Sequence, residues 1–431
     1  MAESAMESVR VVKSATCGRG LVFTSKFARG QCILEELPYA YTLQDDKRGR
    51  YCEFCLKKCS TLKKCSSCHY ASYCNKSCQR GDWARCHKQD CKTLKRIHPL
   101  PYSHVVQLLS HIIHKQKRSP PCIQDDEDCF PTTVDQLESH HEKLSDTRRK
   151  DFETLLFSLK YYEDDVLPEP STLLKMFGAT ICNSLSIMNN DLNVIAVGMY
   201  LRASMLNHSC DPNCAWVSDG RKIQIMTVKD VKEGEECTIT YVDVMDPAKV
   251  RQADLKERYH FTCKCVKCIE EINALGPDDG LGEEFRDLKK SLEQIRDAEN
   301  SQDWAKVLQL CAPYLNPMDS SSNIPANHHL LYKVRQAAFL ACIDSHAWQK
   351  AVETGQLNIE PNKYLYKGPY HASIGIYFLR MTRLLLELGR LEEARKYLTE
   401  TKNVLDVTHG PKHSLMLEVQ QLFSFLEILN K

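Results

Sequence analysis

Between residues 52 and 91 the chain lays down four ligand pairs: Cys52-x2-Cys55, Cys65-x2-Cys68, Cys74-x3-Cys78 and His87-x3-Cys91. Thiolates and an imidazole at such short spacings let each pair grip one metal from a single turn, which is what tetrahedral zinc requires. Four pairs make eight ligands, hence two ions. The paired order points to interleaving, with Cys52, Cys55, Cys74 and Cys78 on one ion and Cys65, Cys68, His87 and Cys91 on the other. With every position filled by protein, no site is left for water, so both ions are expected to be structural. Such a module folds through its metal, and a chelator is expected to unfold it.

The 22 cysteines in 431 residues also admit a secreted, disulfide-bonded protein. Three observations oppose that reading. Residues 1–10 are polar and acidic rather than a signal-peptide core, the cysteines pair as metal ligands, and long stretches hold few of them. A reducing compartment, cytoplasm or nucleus, is the expectation. Hydrophobic content of 43% and charged content of 26% fit an ordinary globular chain of two or more domains. No run of about eighteen apolar residues occurs, so no membrane span is expected.

A net charge of +1 gives no global reason to expect nucleic acid. The distribution is uneven, however. Residues 47–96 carry 14 Lys or Arg against three acids, and about eight positive charges remain once two zinc ions and their thiolates are counted. Residues 270–300 carry ten acids and four bases, which suits docking of a basic peptide. Each patch also reads as a plain solvated face.

Residues 9–43 alternate apolar and polar positions around turns, predicting short strands at 9–12, 20–23 and 32–34. Helical patterning runs through 102–114 and 148–162, with an acidic, proline-bearing loop at 120–131. From Gly178 the pattern turns β-rich, with strands expected at 194–200, 214–217, 223–228 and 237–241. Residues 271–431 read as helical throughout. Trp304, Trp348 and Leu391 each sit early in an amphipathic helix, 44 and 43 residues apart, as in a helix-hairpin repeat of tetratricopeptide type. A plain helical bundle is the alternative.

A second metal set is scattered. Cys263-x-Cys265-x2-Cys268 supplies three thiolates in six residues, and Cys210 is the obvious fourth. A redox or chance cluster is the alternative.

Around Cys210 stands Asn207-His208-Ser209-Cys210-x-Pro212-Asn213, followed by Gly234-Glu235-Glu236-x-Thr238-x2-Tyr241. This pair of motifs resembles the SET domain of protein lysine methyltransferases. The cysteine cluster, with Gln79 and Trp83 after Cys78, resembles a MYND finger. A SET domain interrupted by such a finger and closed by Cys-x-Cys-x2-Cys is similar to the SMYD family, as is the tail segment Val407-Thr408-His409-Gly410-x2-His413-Ser414-Leu415. One departure stands out: three residues separate Trp83 from His87 where the family has two, which makes Cys86 a rival ligand.

The resemblance implies an α+β architecture. Its parts are the N-terminal SET segment (1–48), the MYND finger (49–94), a helical insert (95–178), the core SET (179–245), a zinc-bound post-SET segment (246–270) and an all-α, tetratricopeptide-like domain (271–431). It also implies methyl transfer from S-adenosylmethionine to lysine of histone or non-histone proteins, by a monomer acting in cytoplasm and nucleus. Three zinc ions are implied, two in the finger and one on Cys210, Cys263, Cys265 and Cys268. Tyr241 falls at the catalytic tyrosine position. Gly18-Arg19-Gly20, read as a turn, would lie against the methionine end of the cofactor. Asn207, His208, Asn183, Ser204 and Leu206 would line the cofactor site, Glu138 and His140 would approach its ribose, and Tyr259 and Phe261 would wall the lysine channel and stack on adenine.

That chemistry has physical requirements. A lysine ammonium with a pKa near ~10.4 must lose its proton before it attacks, and an apolar aromatic channel favours the neutral amine by desolvation. Holding amine, methyl carbon and sulfur in line contributes roughly 7–11 kcal/mol. Aromatic faces attract sulfonium and methylated ammonium by roughly 0.5–2 kcal/mol per contact. Two other classes compete: a non-enzymatic adaptor and a nucleic-acid-binding regulator. Retention of Tyr241, both glycines and the Asn–His pair speaks against the first. The second lacks a base-reading helix, so weak DNA binding by the basic finger is at most secondary, and proline-containing peptides are its better-matched partners.

Overall fold

The computed structural model describes residues 8–14, 18–100, 102–118, 129–163, 166–274, 283–315 and 324–429. Two compact units emerge. One comprises Met1–His208, Trp216–Ile239 and Leu255–Phe261, and the other Ser209–Ala215, Thr240–Asp254 and Thr262–Lys431.

The first unit is a β-fold of short strands with two long interruptions. β1 (Val9–Ser14) pairs antiparallel with β2 (Gly18–Phe23), and the alternation of buried Val9 and Val11 with exposed Arg10 shows why this stretch extends. β3 (Cys32–Glu36) and β4 (Ala40–Leu43) follow, then a two-stranded hairpin of β5 (Lys63–Lys64) and β6 (Ser72–Tyr73). The remaining strands are β7 (Ser184–Met188), β8 (Val194–Met199), β9 (Asn207–His208), β10 (Cys214–Asp219), β11 (Lys222–Thr227) and β12 (Thr238–Ile239). Their sheets run β10-β11-β3 and β4-β8-β7, while β9 and β12 pair in parallel. β3 and β4 therefore find their partners only after the finger and the helices have been traversed.

Those interruptions share one core. Leu94 and Ile97 of the helix Lys88–Ile97 pack with Leu108 and Ile112 of the helix His104–Arg118, and with Phe152, Leu159 and Met176 from the helices Asp146–Tyr162 and Pro170–Asn183. The helix Pro170–Asn183 corrects the expectation that β structure begins at Gly178. Pro170 sits in its first turn, where the missing N–H costs nothing. Gly178 lies within the helix, and glycine is needed there because a Cβ would meet the Ser139 carbonyl at 2.3 Å.

The second unit carries the helical region. Three hairpins recur: Glu283–Asn300 with Trp304–Cys311, His329–Asp344 with Trp348–Gln356, and Ala372–Glu387 with Leu391–Thr408. The second helix of each begins at the residue that marks the sequence period. Each three-residue turn places its middle residue in the left-handed region, at Gln302 (φ 56), His346 (φ 56) and Gly389 (φ 68). The backbone bonds Asp303 N to Ala298 O, Ala347 N to Cys342 O and Arg390 N to Leu385 O repeat in register. Among the described residues no helix is long and apolar enough to cross a membrane. Of the expected 120–131 loop, residues 120–128 lie outside the described residues.

Candidate active site and metal centres

The eight finger ligands fall into the two interleaved sets expected from their spacing. The ligand atoms of Cys52, Cys55, Cys74 and Cys78 lie within 4.8 Å of one another, as do those of Cys65, Cys68, His87 and Cys91. Four sulfurs around one ion with bonds of ~2.3 Å stand about 3.8 Å apart. The Cys55–Cys74, Cys74–Cys78 and Cys65–Cys91 sulfur separations are 3.7, 3.4 and 3.9 Å. A disulfide would close them to roughly 2 Å, and every described cysteine is free.

His87, not Cys86, joins the second set, with its Nε2 3.8 Å from the Cys68 sulfur. The local reason is a π-helical turn, Trp83–His87, between the helices Lys76–Asp82 and Lys88–Ile97. A π turn absorbs one extra residue without breaking the helix, so the additional residue before His87 leaves the imidazole facing Cys91. Tyr73 and Trp83 pack on its ring at 5.9 and 5.8 Å. Cys86 instead turns into a buried group with Asp90 and His111. There His111 Nε2 meets the Asp90 carboxylate at 2.5 Å and Nδ1 meets the Tyr41 carbonyl at 3.2 Å. Both ring nitrogens of His111 are thus already engaged by oxygen atoms of the protein.

The third set, Cys210, Cys263, Cys265 and Cys268, closes in the second unit. Cys210 stands 4.0 Å from Cys263 and 3.4 Å from Cys268. The side chain of Arg251, only 1% exposed, donates from Nε to the Cys210 sulfur at 3.3 Å and from Nη2 to Cys268 at 3.5 Å. Glu271 receives its third nitrogen at 3.0 Å. Four thiolates on one divalent ion would keep a charge of about −2, which Arg251 stands in place to offset. Nothing in the sequence pattern marked it. Gln252 clamps Cys263 through both its amide atoms, at 2.6 and 3.0 Å.

In the first unit the expected cofactor residues form a connected frame. Gly18-Arg19-Gly20 is not a turn: the three residues open β2, with Gly18 paired to Ser14 and still at positive φ. A Cβ on Gly20 would sit 2.6 Å from Asn207 Nδ2, so glycine is needed there to admit the asparagine side chain. That amide donates to the Arg19 carbonyl at 3.4 Å and to Glu236 at 2.8 Å. Asn183 Nδ2 donates to the carbonyls of Glu138 and Ala179, both at 2.8 Å, and its own carbonyl accepts from Ser204 Oγ at 3.1 Å. Both asparagines thus spend their N–H groups on the protein and keep Oδ1 as an acceptor. Leu206 is buried, at 1% exposure.

Aromatic groups close the frame. The rings of His208 and Phe261 stand 5.9 Å apart, and burial pushes the Tyr259 phenol above its ordinary pKa. His140 faces His260 at 5.1 Å, edge to face, both residues at positive φ. Burial holds His140 below the usual histidine range although Glu138 opposes it. Burial works to raise Glu138, but the N–H groups of His140 and Ser139 and nearby positive charge leave it lowered.

The match to the SET domain model runs from residue 18 to residue 242. The human histone-lysine N-methyltransferase SMYD3 is 30% identical over 430 residues, covering 98% of both chains. The chain belongs to the SMYD family of SET-domain proteins. The human N-lysine methyltransferase SMYD2 is 28% identical over 422 residues, covering 94% of this chain and 95% of that one. Among solved structures, the SET domain of LSMT bound to lysine and AdoHcy aligns over 98% of this chain at 13% identity, with a TM-score of 0.34, too low to place any residue.

In this SMYD chain the expected strand 237–241 shortens to β12, and Tyr241 occupies a half-buried bend two residues beyond Ile239. The frame also contains residues that motif reading passed over. Gln136 accepts from the Arg19 guanidinium through its carbonyl, Glu236 fixes Asn207, and His260 faces His140. Glu236 stands inside the Gly-Glu-Glu stretch and could have been found there. Gln136 contributes only backbone, which leaves no signature.

Proposed function

We propose that this chain is a protein-lysine N-methyltransferase that uses S-adenosylmethionine, with histone or non-histone proteins carrying basic, lysine-containing segments as substrates. The observation that carries the proposal is the Asn207–Glu236–Gly20 interlock beside the Asn183–Glu138–Ser204 chain in a SET-domain family member. The residues fit the cofactor. Asn183 and Asn207 offer free carbonyl oxygens to its ammonium and N–H groups, and Glu138 and His140 offer polar groups for ribose hydroxyls. Tyr259 and Phe261 offer faces for adenine, while Gly18 has nothing within 4 Å of its Cβ position.

The bound cofactor supplies an electron-poor methyl group. The chain's own residues do the rest. Tyr259 and Phe261 exclude water around the lysine, which favours the neutral amine. The Tyr241 hydroxyl accepts from that amine and orients its lone pair. The three ligand sets hold zinc: two ions in a MYND finger and one in a post-SET segment, all structural because no position stays open. The helix hairpins form a tetratricopeptide-like domain. In this reading the enzyme works as a monomer in cytoplasm and nucleus, and its finger takes proline-containing peptides and, weakly, DNA.

The test incubates the zinc-loaded chain with radiolabelled S-adenosylmethionine, histones and cell extract, beside Tyr241→Phe. Label on protein lysine that falls at least tenfold in the variant supports the reading. A folded, zinc-replete chain that binds no cofactor and transfers no label points to an adaptor.

A further inference from the structure

Outside the frame just described, the first unit contains a cavity of ≈ 630 Å³ whose wall is strongly one-signed. Four cations line it, Arg85 from the π turn, Lys115 and Arg118 from the helix His104–Arg118, and Arg221, against one carboxylate, Glu36. Their commitments differ. Arg85 is already neutralised by Asp82 at 2.7 Å and lies over the Tyr41 ring at 3.9 Å. Glu36 accepts the backbone N–H groups of Arg202 and Ala203 at 3.1 and 2.9 Å, and burial raises its pKa.

The other three have no ion pair among the described residues. Lys115 donates to the Tyr39 carbonyl at 2.9 Å and sits 4.0 Å from that ring's centre. Arg118 donates to the carbonyls of Arg85 and His114 at 2.7 and 3.2 Å. Arg221 lies over Phe54 at 4.0 Å. Carbonyls and ring faces orient these groups without cancelling their charge. Burial and the neighbouring charges of Arg118 and Arg85 lower the Lys115 pKa. Like charges gathered in a partly desolvated space repel, and a multiply charged anion relieves that repulsion at one stroke.

We infer that this cavity is a binding site for a phosphate monoester, its dianion held by Lys115, Arg118 and Arg221 and its organic part lying on the apolar wall at Leu37 and Tyr39. A single carboxylate would satisfy one of the three cations. A nucleic-acid backbone is a poor fit because the charges gather around one recess of ligand size rather than along an extended track. Because the wall combines the finger's π turn, the segment before β4 and the insert helix, an occupant would tie the metal-bound finger to the β-fold.

The full zinc-loaded chain is titrated calorimetrically at low salt with phenyl phosphate, inorganic phosphate, benzoate, a phosphotyrosine peptide and a short DNA duplex. Phenyl phosphate is expected to bind at least tenfold tighter than benzoate and to raise the thermal midpoint. Phenyl phosphate without the peptide identifies a small-molecule site, and binding of both a peptide-borne one. Arg118→Gln, at an exposed position that threatens no fold, should weaken binding at least fivefold. Lys115→Met should weaken it at least tenfold, and the exposed Lys58→Met not at all. Binding that ignores Arg118→Gln and Lys115→Met, a preference for DNA, or no binding at all would each overturn the assignment.

Discussion

The ligand sets of the finger and the set built on Cys210 solve one problem by different means. Finger ligands come from a stretch of some forty residues, each pair held by its own turn, and the set with His87 carries one thiolate fewer. The Cys210 set draws one ligand from 53 residues before the next, and its four thiolates gather more negative charge than an ion removes. Its mostly buried sulfurs meet the buried Arg251, whereas the other four-cysteine set leaves Cys55, Cys74 and Cys78 partly open to water, and the His87 set packs against Tyr73 and Trp83. Local spacing builds a metal site cheaply in entropy. A long-range site joins segments that lie far apart in sequence. Two residues before Cys210 and Cys263 stand His208 and Phe261, which face each other in the first unit.

The largest effect expected from this contrast is at the ligands. His87→Ala should remove one zinc and melt the finger, whereas Cys86→Ala should keep full metal content, as read by elemental analysis of purified chains. Loss of zinc from Cys86→Ala would reverse the assignment. Next comes the counter-charge. Arg251→Met leaves the thiolate charge buried and uncompensated, and should cost about 3–5 kcal/mol and loosen the metal of that set. Arg251→Lys should recover part of this, and Glu271→Gln should cost less than either. An unchanged chelator-release rate in Arg251→Met would show that the charge is balanced elsewhere.

Smaller effects lie in the helical region. Burial pushes His409 down to about 3, with His413 adding to the effect. A histidine whose folded pKa lies below its unfolded value of about 6.5 binds more protons when unfolded. Stability is therefore full above pH 6.5 and drains as pH falls toward the folded pKa, by roughly 2 kcal/mol at pH 5. His409→Gln should flatten the dependence of the thermal midpoint between pH 7 and pH 5. Smallest of all, Gly389→Ala should destabilise by about 1 kcal/mol because φ is positive there. Gln302→Gly, at the equivalent turn, should be neutral or slightly stabilising. Denaturation midpoints of the two variants compare them directly.

What could be read from the sequence follows the range of each interaction. The ligand pairs and the 44- and 43-residue period are local, and the structure begins helices at Trp304, Trp348 and Leu391. The membership of the two sets between Cys52 and Cys91 followed from spacing, whereas Cys210 joins the third set from 53 residues away, and even the extra residue before His87 was visible, though not the π turn that absorbs it. Gly20 was marked as special for the wrong local reason. Its partner is the amide of Asn207, 187 residues on, and no turn at all. The helix Pro170–Asn183 was legible in Pro170 and in Leu173, Met176, Phe177 and Thr180 at helical spacing, but its apolar C-terminal half read as strand. The pairing of β3 with β11 and of β4 with β8, and the turn of Arg251 onto two sulfurs, depend on tertiary contacts that no window of sequence contains.

Whether each of the three thiolate-rich sets holds a zinc ion is decided by the native mass of the full chain purified under reducing conditions. Three zinc ions per chain with every cysteine reduced are expected, falling to two in Cys265→Ser. A folded chain with fewer than three, or a mass lightened by the hydrogens lost to disulfides at Cys210, Cys263, Cys265 or Cys268, would overturn that assignment.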